Sequence, residues 1–199
     1  LLGDRIRLSV LDDKSKSDSI YVRSVATRSS SGSIPSIIRD LASHLLVNNF
    51  DLVIIETVGA GQAEMRCAAI ANRIVVVEGP ARGDGIQAEK AGLLELADLI
   101  VVNKSDLDGS DKVVNDLTIS LGLTSDAPPI LKTSAVTGEG LDDLSELITR
   151  LDERTSSKRA RNRQQLLMAH ENILTANPHF EAVLDRTVSY THLTLPTSE

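Results

Sequence analysis

Short apolar runs that alternate with segments of helical spacing constrain the fold of this chain most. The first run, Leu52 to Ile55, has four apolar residues in succession, which is typical of a strand covered by helices on both faces. Similar runs lie within residues 73–78, 98–103 and 129–133. Because strands and helices alternate along the chain, the sequence predicts an α/β fold with a doubly wound, mostly parallel sheet and flanking helices.

The segments around these runs predict one further strand and six helices. A short edge strand is expected over Ile20 to Val25, because β-branched and aromatic residues are frequent there. Helices are expected where apolar residues recur every three or four positions. These segments are residues 34–49, 63–72, 86–97, 111–121, 140–151 and 156–176. Gly122 and Pro178 lie where two of these helices should end.

The acidic balance of the chain argues against two classes of function. The formal net charge of −7 disfavours a general nucleic-acid binder, which is more often basic, and we find no basic amphipathic face for a membrane surface. The single cysteine, Cys67, allows no intrachain disulfide and is expected to be a small buried residue. No apolar run reaches roughly 18 residues, so no transmembrane helix is expected. We therefore expect a cytoplasmic protein that binds neither nucleic acid nor membrane.

The residues after the first apolar run predict a site for a metal ion and a phosphate. The run is followed by Glu56, and Gly59 and Gly61 precede a helix-forming segment. In an open α/β sheet, ligands bind outside the carboxyl ends of the strands, and glycine lets the backbone approach a ligand closely. A carboxylate at such a strand end can hold Mg²⁺ beside a phosphate. We therefore predict that Glu56 lies at a phosphate-binding site.

Polar residues after the two last apolar runs predict recognition of guanine. Asn103, Lys104 and Asp106 follow one run, and Ser134 and Ala135 follow the next. The carboxylate of Asp106 can accept two hydrogen bonds from the N1–H and N2–H₂ edge of guanine, a pair of donors that adenine lacks. The stem of Lys104 can lie over the base. A backbone N–H beside the small residues can donate to the guanine O6, so both strand ends are expected to contact one base.

Five stretches of sequence together resemble one known family. They are residues 1–8 (LLGDRIRL), 54–64 (IIETVGAGQAE), 83–92 (GDGIQAEKAG), 96–106 (LADLIVVNKSD) and 134–140 (SAVTGEG). In this order and spacing they resemble the MeaB/ArgK family of P-loop GTPases, which are associated with methylmalonyl-CoA mutase and are also labelled LAO/AO transport-system kinases. The resemblance covers about residues 1–180. It implies a G domain of the SIMIBI type, with GTP or GDP and Mg²⁺ as ligands.

The resemblance also implies roles for individual residues. Glu56 would be the acid of the Walker B strand near Mg²⁺, and Asp4 would be a switch acid that also reaches Mg²⁺. Gly59 would contact the γ-phosphate through its backbone N–H. Guanine would be bound by Asn103, Lys104 and Asp106, with Ser134 and Ala135 beside it. Residues 83–87 would couple the nucleotide state to a client enzyme.

The residue that positions water for hydrolysis is the least defined. Ala60 stands where some GTPases carry a glutamine, and Gln62 lies close by. Gln62 is therefore a candidate catalytic residue beside Glu56, although it could instead cap or line the following helix. We expect slow intrinsic hydrolysis, because phosphoryl transfer depends mainly on positioning and charge stabilisation.

Three departures from the family pattern bear on activity. The phosphate-binding motif Gly-x-x-x-x-Gly-Lys-Ser/Thr is nowhere in these 199 residues, and the strand that carries it is expected to be missing from the sheet. Ala60 replaces the usual Val, and Gly85 and Ile86 replace Glu-Leu in the coupling segment. We expect this chain alone to bind GTP weakly or not at all; micromolar binding would contradict that expectation.

The expected domains are a partial GTPase domain (1–155), the start of a C-terminal helical dimerisation arm (156–187) and a tail resembling a translated sequencing adapter (188–199). The basic run at 158–163 is expected to be a solvated helix face or a protein contact.

The family resemblance implies a homodimeric GTPase that gates the assembly and protection of a cobalamin-dependent acyl-CoA mutase. Two alternatives stay open. A metal-insertion accessory GTPase would be expected to carry Cys/His clusters, which are absent from this sequence, and a non-hydrolysing scaffold would only bind a partner.

Overall fold

The computed structural model describes residues 20–23, 25, 37–57, 62–80, 88–122, 126–177 and 179–180. The chain forms two units, Leu1–Val53 and Ile54–Glu199. In the first unit, helix α1 spans Ile37–Val47. The α1 helix ends where the Asn48 N–H donates to the His44 carbonyl over 3.1 Å, and Asn49 takes a left-handed conformation with φ of 67°.

The edge strand predicted over residues 20–25 is wrong for the described part of that segment. Residues 20–23 and 25 belong to no strand, and Ile20 and Tyr21 are exposed. The ring of Tyr21 instead meets that of Phe50 edge-on, with 6.3 Å between centroids. No described strand supplies the backbone partners that a β-ladder requires, so the β propensity of the segment is not realised.

The second unit is built around a parallel three-stranded sheet, which confirms the predicted fold class. The strands are β1 (Val75–Glu78), β2 (Leu99–Val102) and β3 (Ile130–Lys132), in the order β1-β2-β3. The helices are α2 (Gln62–Cys67), α3 (Ala88–Leu96), α4 (Ser110–Leu121), α5 (Leu141–Arg150) and α6 (Thr155–Thr175). Both pairings are parallel, with Ile100 opposite Val76 on one side and Ile130 on the other. All three carboxyl ends therefore lie at the same edge of the sheet.

Strand β2 is the centre of the core. Its four residues, Leu99 to Val102, are at most 1% exposed, and Leu94, Leu96 and Leu117 from α3 and α4 are buried with it. Each such side chain contributes about 1.5–3 kcal/mol when removed from water. This burial explains why an unbroken apolar run, and not an alternating one, forms the central strand.

The apolar run at Leu52–Ile55 does not form the buried strand that the sequence predicts. Residues 52–57 carry no strand, and Leu52 and Ile54 are 51% and 75% exposed. Within the described residues, β1 pairs only with β2, and Val77 on β1 is 62% exposed. A strand needs a hydrogen-bonded neighbour, and no described strand pairs with residues 52–57.

The predicted helices are confirmed with small shifts of their ends, except that α2 is shorter than expected. It ends at Cys67 instead of continuing to residue 72. There the Ala69 N–H donates to the Arg66 carbonyl over 3.1 Å, and the Ile70 N–H donates to the Cys67 carbonyl over 2.9 Å, so the helix tightens into a turn. Cys67 is buried as predicted, and this burial raises the pKa of its thiol to about 11.

No helix in the described part of the chain is long and apolar enough to cross a membrane.

Candidate guanine-binding site

Two loops at the carboxyl edge of the sheet form the candidate site. The first loop, residues 103–109, follows β2, and the second loop, residues 133–140, follows β3. At the start of the first loop, the Asn103 N–H donates to the Glu78 carbonyl at the end of β1 over 2.9 Å. Lys104 then takes a left-handed conformation with φ of 64°, which is uncommon for a residue with a side chain. The chain thus turns sharply directly after the buried strand.

Asn103 joins the two loops through its side-chain oxygen. This Oδ1 accepts hydrogen bonds from the Lys104 N–H at 2.8 Å, the Ala135 N–H at 3.3 Å and the Thr133 hydroxyl at 3.4 Å. One partner lies in its own loop, and the other two lie in the second loop. The side chain of Asn103 therefore ties its loop to the backbone of the second loop.

Asp106 and Ser134 form the second link between the loops. The Ser134 hydroxyl is buried and donates to Oδ1 of Asp106 over 2.5 Å. The same hydroxyl accepts the N–H groups of Val136 and Thr137 at 3.3 and 3.1 Å. Asp106 itself is exposed. Because each carboxylate oxygen has two acceptor positions, Asp106 retains capacity for further donors on its solvent side.

Ser105 and Glu139 form a third link, which the sequence analysis missed. The Ser105 hydroxyl donates to Oε2 of Glu139 over 2.9 Å, and the Ser105 N–H donates to the Thr133 carbonyl over 2.9 Å. Both residues lie inside the quoted motifs, at positions that base recognition does not require. The sequence signal for this hydrogen bond was a serine in one predicted loop and a glutamate in the next. That signal is weak, because the sequence does not show how the two loops face each other.

Two glycines shape the second loop. Gly138 and Gly140 have φ of 85° and 68°, a region that residues with a Cβ rarely adopt. A Cβ on Gly140 would lie 2.2 Å from the Lys132 carbonyl oxygen, whereas a Cβ on Gly138 would meet nothing within 4 Å. Gly140 is thus required both for its conformation and for its close approach to β3.

A lysine at the end of β3 carries positive charge next to the second loop. Lys132 Nζ pairs with Asp111 Oδ1 at 2.7 Å. The hydrogen bond to Asp111, assisted by the charges of Asp111 and Glu139, raises the pKa of Lys132. This ion pair is exposed, so its contribution to stability is small.

The structure brings together only part of the predicted site. Asn103, Asp106, Ser134 and Ala135 share the hydrogen bonds described above, and Lys104 lies exposed beside them. Glu56 is exposed and follows a segment that forms no strand, so strand pairing does not hold it at the edge of the sheet. The remaining predicted positions lie outside the residues that the structure describes. They are Asp4, Gly59, residues 83–87 and the side chain of Gln62.

A buried ionic network at the opposite edge of the sheet was also missed. Asp98 precedes β2, and its Oδ2 accepts Nη1 of Arg161 at 2.6 Å and the Ile74 N–H at 2.9 Å. Its Oδ1 accepts the Ser157 hydroxyl at 2.5 Å and the Arg154 N–H at 3.4 Å. The network ties the start of α6 to the amino ends of β1 and β2.

The expectation that the basic run at 158–163 is a solvated face or a protein contact is therefore wrong for one of its members. Arg161 has a side chain that is only 3% exposed, and it also donates to Glu153 over 2.9 Å. Ser157 and Arg161 are four residues apart and so lie on one face of α6. The sequence did contain a signal for this network: the four-residue spacing of these two side chains, and an acidic residue, Asp98, directly before the apolar run of β2.

Arg154 adds a second set of contacts to this network. Its guanidinium group donates to the carbonyls of Ala97 and Asp126. The carboxylate of Asp126 in turn accepts the Ser156 N–H at 3.1 Å and the Ser156 hydroxyl at 2.9 Å. These two hydrogen bonds, with the charge of Arg154, lower the pKa of Asp126. The start of α6 is thus fixed to the connection that precedes β3.

Comparison with known proteins supports a GTPase. A family model described as methylmalonyl-CoA mutase-associated GTPase MeaB matches residues 1–189. A Pyrococcus horikoshii protein named "Putative GTPase" is 39% identical over 155 residues, which cover 74% of this chain and 48% of that protein. The chain therefore spans about half the length of such curated relatives.

Two further relatives carry names that refer to a mutase or to a metabolic disorder. The fused isobutyryl-CoA mutase of Geobacillus kaustophilus is 40% identical over 111 residues, covering 56% of this chain and 10% of that protein. The mitochondrial methylmalonic aciduria type A homolog of Mus musculus is 30% identical over 152 residues, covering 72% and 36%.

Proposed function

This chain belongs to the MeaB family of methylmalonyl-CoA mutase-associated GTPases, and on that premise we propose that the two loops at the carboxyl edge of its sheet bind the guanine of GTP and GDP. The observation that carries the proposal is a pair of hydrogen bonds between the loops: the Ser134 hydroxyl donates to Asp106, and the Ala135 N–H donates to the side-chain oxygen of Asn103. These bonds hold an exposed carboxylate and a backbone N–H on neighbouring strand ends.

The chemistry of the two groups matches guanine and not adenine. Asp106 would accept hydrogen bonds from N1–H and the N2 amine of guanine, and Ala135 N–H would donate to O6. The Ala135 N–H is held only at 3.3 Å by Asn103, which is longer than a typical N–H···O bond, so it can turn toward a ligand at little cost. Adenine would leave these polar groups unpaired, which strongly disfavours its binding. The exposed stem of Lys104 would cover one face of the base.

We further propose that the phosphates and Mg²⁺ are bound outside these loops, at Glu56, Asp4 and Gly59. Mg²⁺ is held in such sites by one or two carboxylates together with phosphate oxygens and water, so the exposed carboxylate of Glu56 fits the ion chemically. The described residues contain no cluster of three or more metal-ligating side chains, and Asp4 and Gly59 lie outside them. Bound Mg²⁺ would neutralise charge on the phosphates, and Gln62 is our candidate for positioning water.

The proposed biological role is control of an acyl-CoA mutase. Support comes from the family description and from the matching segment in a fused isobutyryl-CoA mutase. We propose that the whole protein hydrolyses GTP and thereby gates the assembly and protection of a cobalamin-dependent mutase. We also propose that it acts in the cytoplasm as a homodimer through a helical arm that begins with α6.

A nucleotide titration followed by NMR tests the guanine proposal, because NMR detects weak binding by a chain without the phosphate-binding motif. The unmodified chain should bind GDP in preference to ADP. Asp106→Ala should weaken GDP binding by about tenfold or more, since it removes charge-assisted hydrogen bonds. Asp108→Ala, which removes an exposed carboxylate of the same loop, serves as the matched control. Equal affinity for GDP and ADP, or no effect of Asp106→Ala, would overturn the proposal.

A further inference from the structure

Glu139 has no part in the predicted recognition of the base, yet it contacts the loop that carries Asp106. We propose that the hydrogen bond from the Ser105 hydroxyl to Glu139 Oε2, at 2.9 Å, is a clasp that fixes the spacing of the two loops before guanine binds. Glu139 is then a positioning residue, and its carboxylate acts through Ser105. The inference rests on the proposed function, because it assigns a role within the same guanine site.

The backbone around Glu139 leaves only its side chain to make this contact. The Glu139 carbonyl accepts the Ser134 N–H at 2.9 Å, and the Glu139 N–H donates to the Thr137 hydroxyl over 3.3 Å. The two positive-φ glycines, Gly138 and Gly140, flank it. The backbone of Glu139 is thus held on both sides, so little backbone entropy remains to be lost when its carboxylate reaches the first loop.

On the other loop, Ser105 stands directly between the two residues proposed to meet the base, Lys104 and Asp106. Its N–H is bound by the Thr133 carbonyl, and its own carbonyl accepts the Ser110 hydroxyl at 3.3 Å. When the side chain of Ser105 is also held, the residues on both sides of it have a fixed place. A binding group that is already in place loses less entropy when its ligand arrives.

The clasp differs from the other links between the loops because it can be removed without touching a proposed base contact. Asn103 and Ser134 contribute both to the links and to the proposed guanine site, so their substitution would mix two effects. The side chains of Ser105 and Glu139 form the link and make no proposed base contact, although the charge of Glu139 also helps raise the pKa of Lys132. The hydrogen bond to a carboxylate is charge-assisted and therefore stronger than a neutral one.

The test is a double-mutant cycle with Ser105→Ala, Glu139→Ala and the double variant, measured on the 199-residue chain. Amide hydrogen exchange at Ser105 and Ser134 should accelerate about three- to tenfold in each single variant, and GDP binding should weaken by a similar factor. The double variant should resemble the single ones, because both remove the same hydrogen bond. Glu139→Gln keeps an acceptor oxygen but loses the charge, so its effects on exchange and binding should be smaller than those of Glu139→Ala.

Glu146→Ala is the matched control, since Glu146 is an exposed carboxylate of α5 that pairs with Arg150 and should change neither measurement. Unchanged exchange in the single variants, or additive effects in the double variant, would overturn the clasp. If exchange accelerates as expected but the unmodified chain does not prefer GDP to ADP, the proposed function fails while the clasp between the loops is upheld. If GDP binds but its affinity is the same in all variants, the positioning role is overturned.

Discussion

The two ends of strand β2 carry the same kind of side chain in opposite environments. Asp98, before the strand, has a side chain that is fully buried and accepts hydrogen bonds from Arg161, Ser157, Ile74 and Arg154. Asp106, beyond the strand, is exposed and accepts one from Ser134. A carboxylate whose acceptor positions are filled by the protein holds elements together, whereas one with acceptor capacity left on an exposed side can bind a ligand.

The difference follows from the cost of removing charge from water. A buried carboxylate is tolerated only when its charge and its lone pairs are compensated, which is why Asp98 draws partners from the start of α6 and from Ile74 before β1. Asp106 stays hydrated, so the fold need not satisfy it fully. The amino edge of the sheet is therefore a structural anchor, and the carboxyl edge is the place that we propose for recognition.

The largest expected effect breaks the anchor. Asp98→Ala should destabilise the chain by about 3–5 kcal/mol, because it takes one carboxylate partner from the buried Arg161 and the acceptor from the buried Ile74 N–H. Asp106→Ala, the equivalent change at the other end of β2, should cost only about 1–2 kcal/mol, because its carboxylate is exposed and its loss leaves one buried donor, the Ser134 hydroxyl, without this acceptor. Urea denaturation of both variants measures the contrast. Similar losses of stability in the two variants would show that the ends of the strand do not differ in this way.

A smaller effect is expected within the carboxyl edge itself. Gly140→Ala should cost about 3 kcal/mol, since it adds a collision with the Lys132 carbonyl to the penalty for a left-handed backbone. Gly138→Ala should cost only about 1–2 kcal/mol, because its Cβ would meet open space. The two unfolding midpoints provide the measurement. Equal costs would mean that the second loop is not pressed against β3.

The smallest effect concerns the dependence of the anchor on pH. The hydrogen bonds from Arg161 and Lys158 lower the pKa of Glu153. A carboxyl group with a lowered pKa in the folded state stabilises the fold above its ordinary pKa, and this stabilisation is lost as the pH falls below about 4. Glu153→Gln should therefore flatten the acid side of the plot of stability against pH. Urea midpoints from neutral to acidic pH would reveal an unchanged slope if Glu153 played no such part.

Local chemistry made the carboxyl edge predictable from the sequence. Asn103 and Asp106 lie in one short motif after an apolar run, and Ser134 and Ala135 follow the next run. Because neighbouring parallel strands end at the same edge of the sheet, this pattern was enough to predict that the four residues lie close together. The parallel sheet followed from the same alternation of apolar runs and helices. The three links between the loops then supply the geometry that the motif alone does not contain.

The anchor was not predictable, because its partners are distant in sequence. Asp98 and Arg161 are 63 residues apart, and Arg161 stands in a basic run whose other members suggest a solvated helix face. The prediction of a buried strand at Leu52–Ile55 was wrong for a different reason. Its apolar composition is compatible with a buried strand, but a strand forms only where a neighbour offers backbone partners.

The most direct test of the account is the map of amide NMR shifts when GDP is added to the chain. We predict shifts at Asn103, Lys104, Ser105 and Ala135, and none at the amides of Ile74, Arg154 and Ser157 around the anchor. That result would place guanine at the carboxyl edge of the sheet. Shifts centred on the anchor, or no shifts in the two loops at GDP concentrations that saturate binding, would contradict the account.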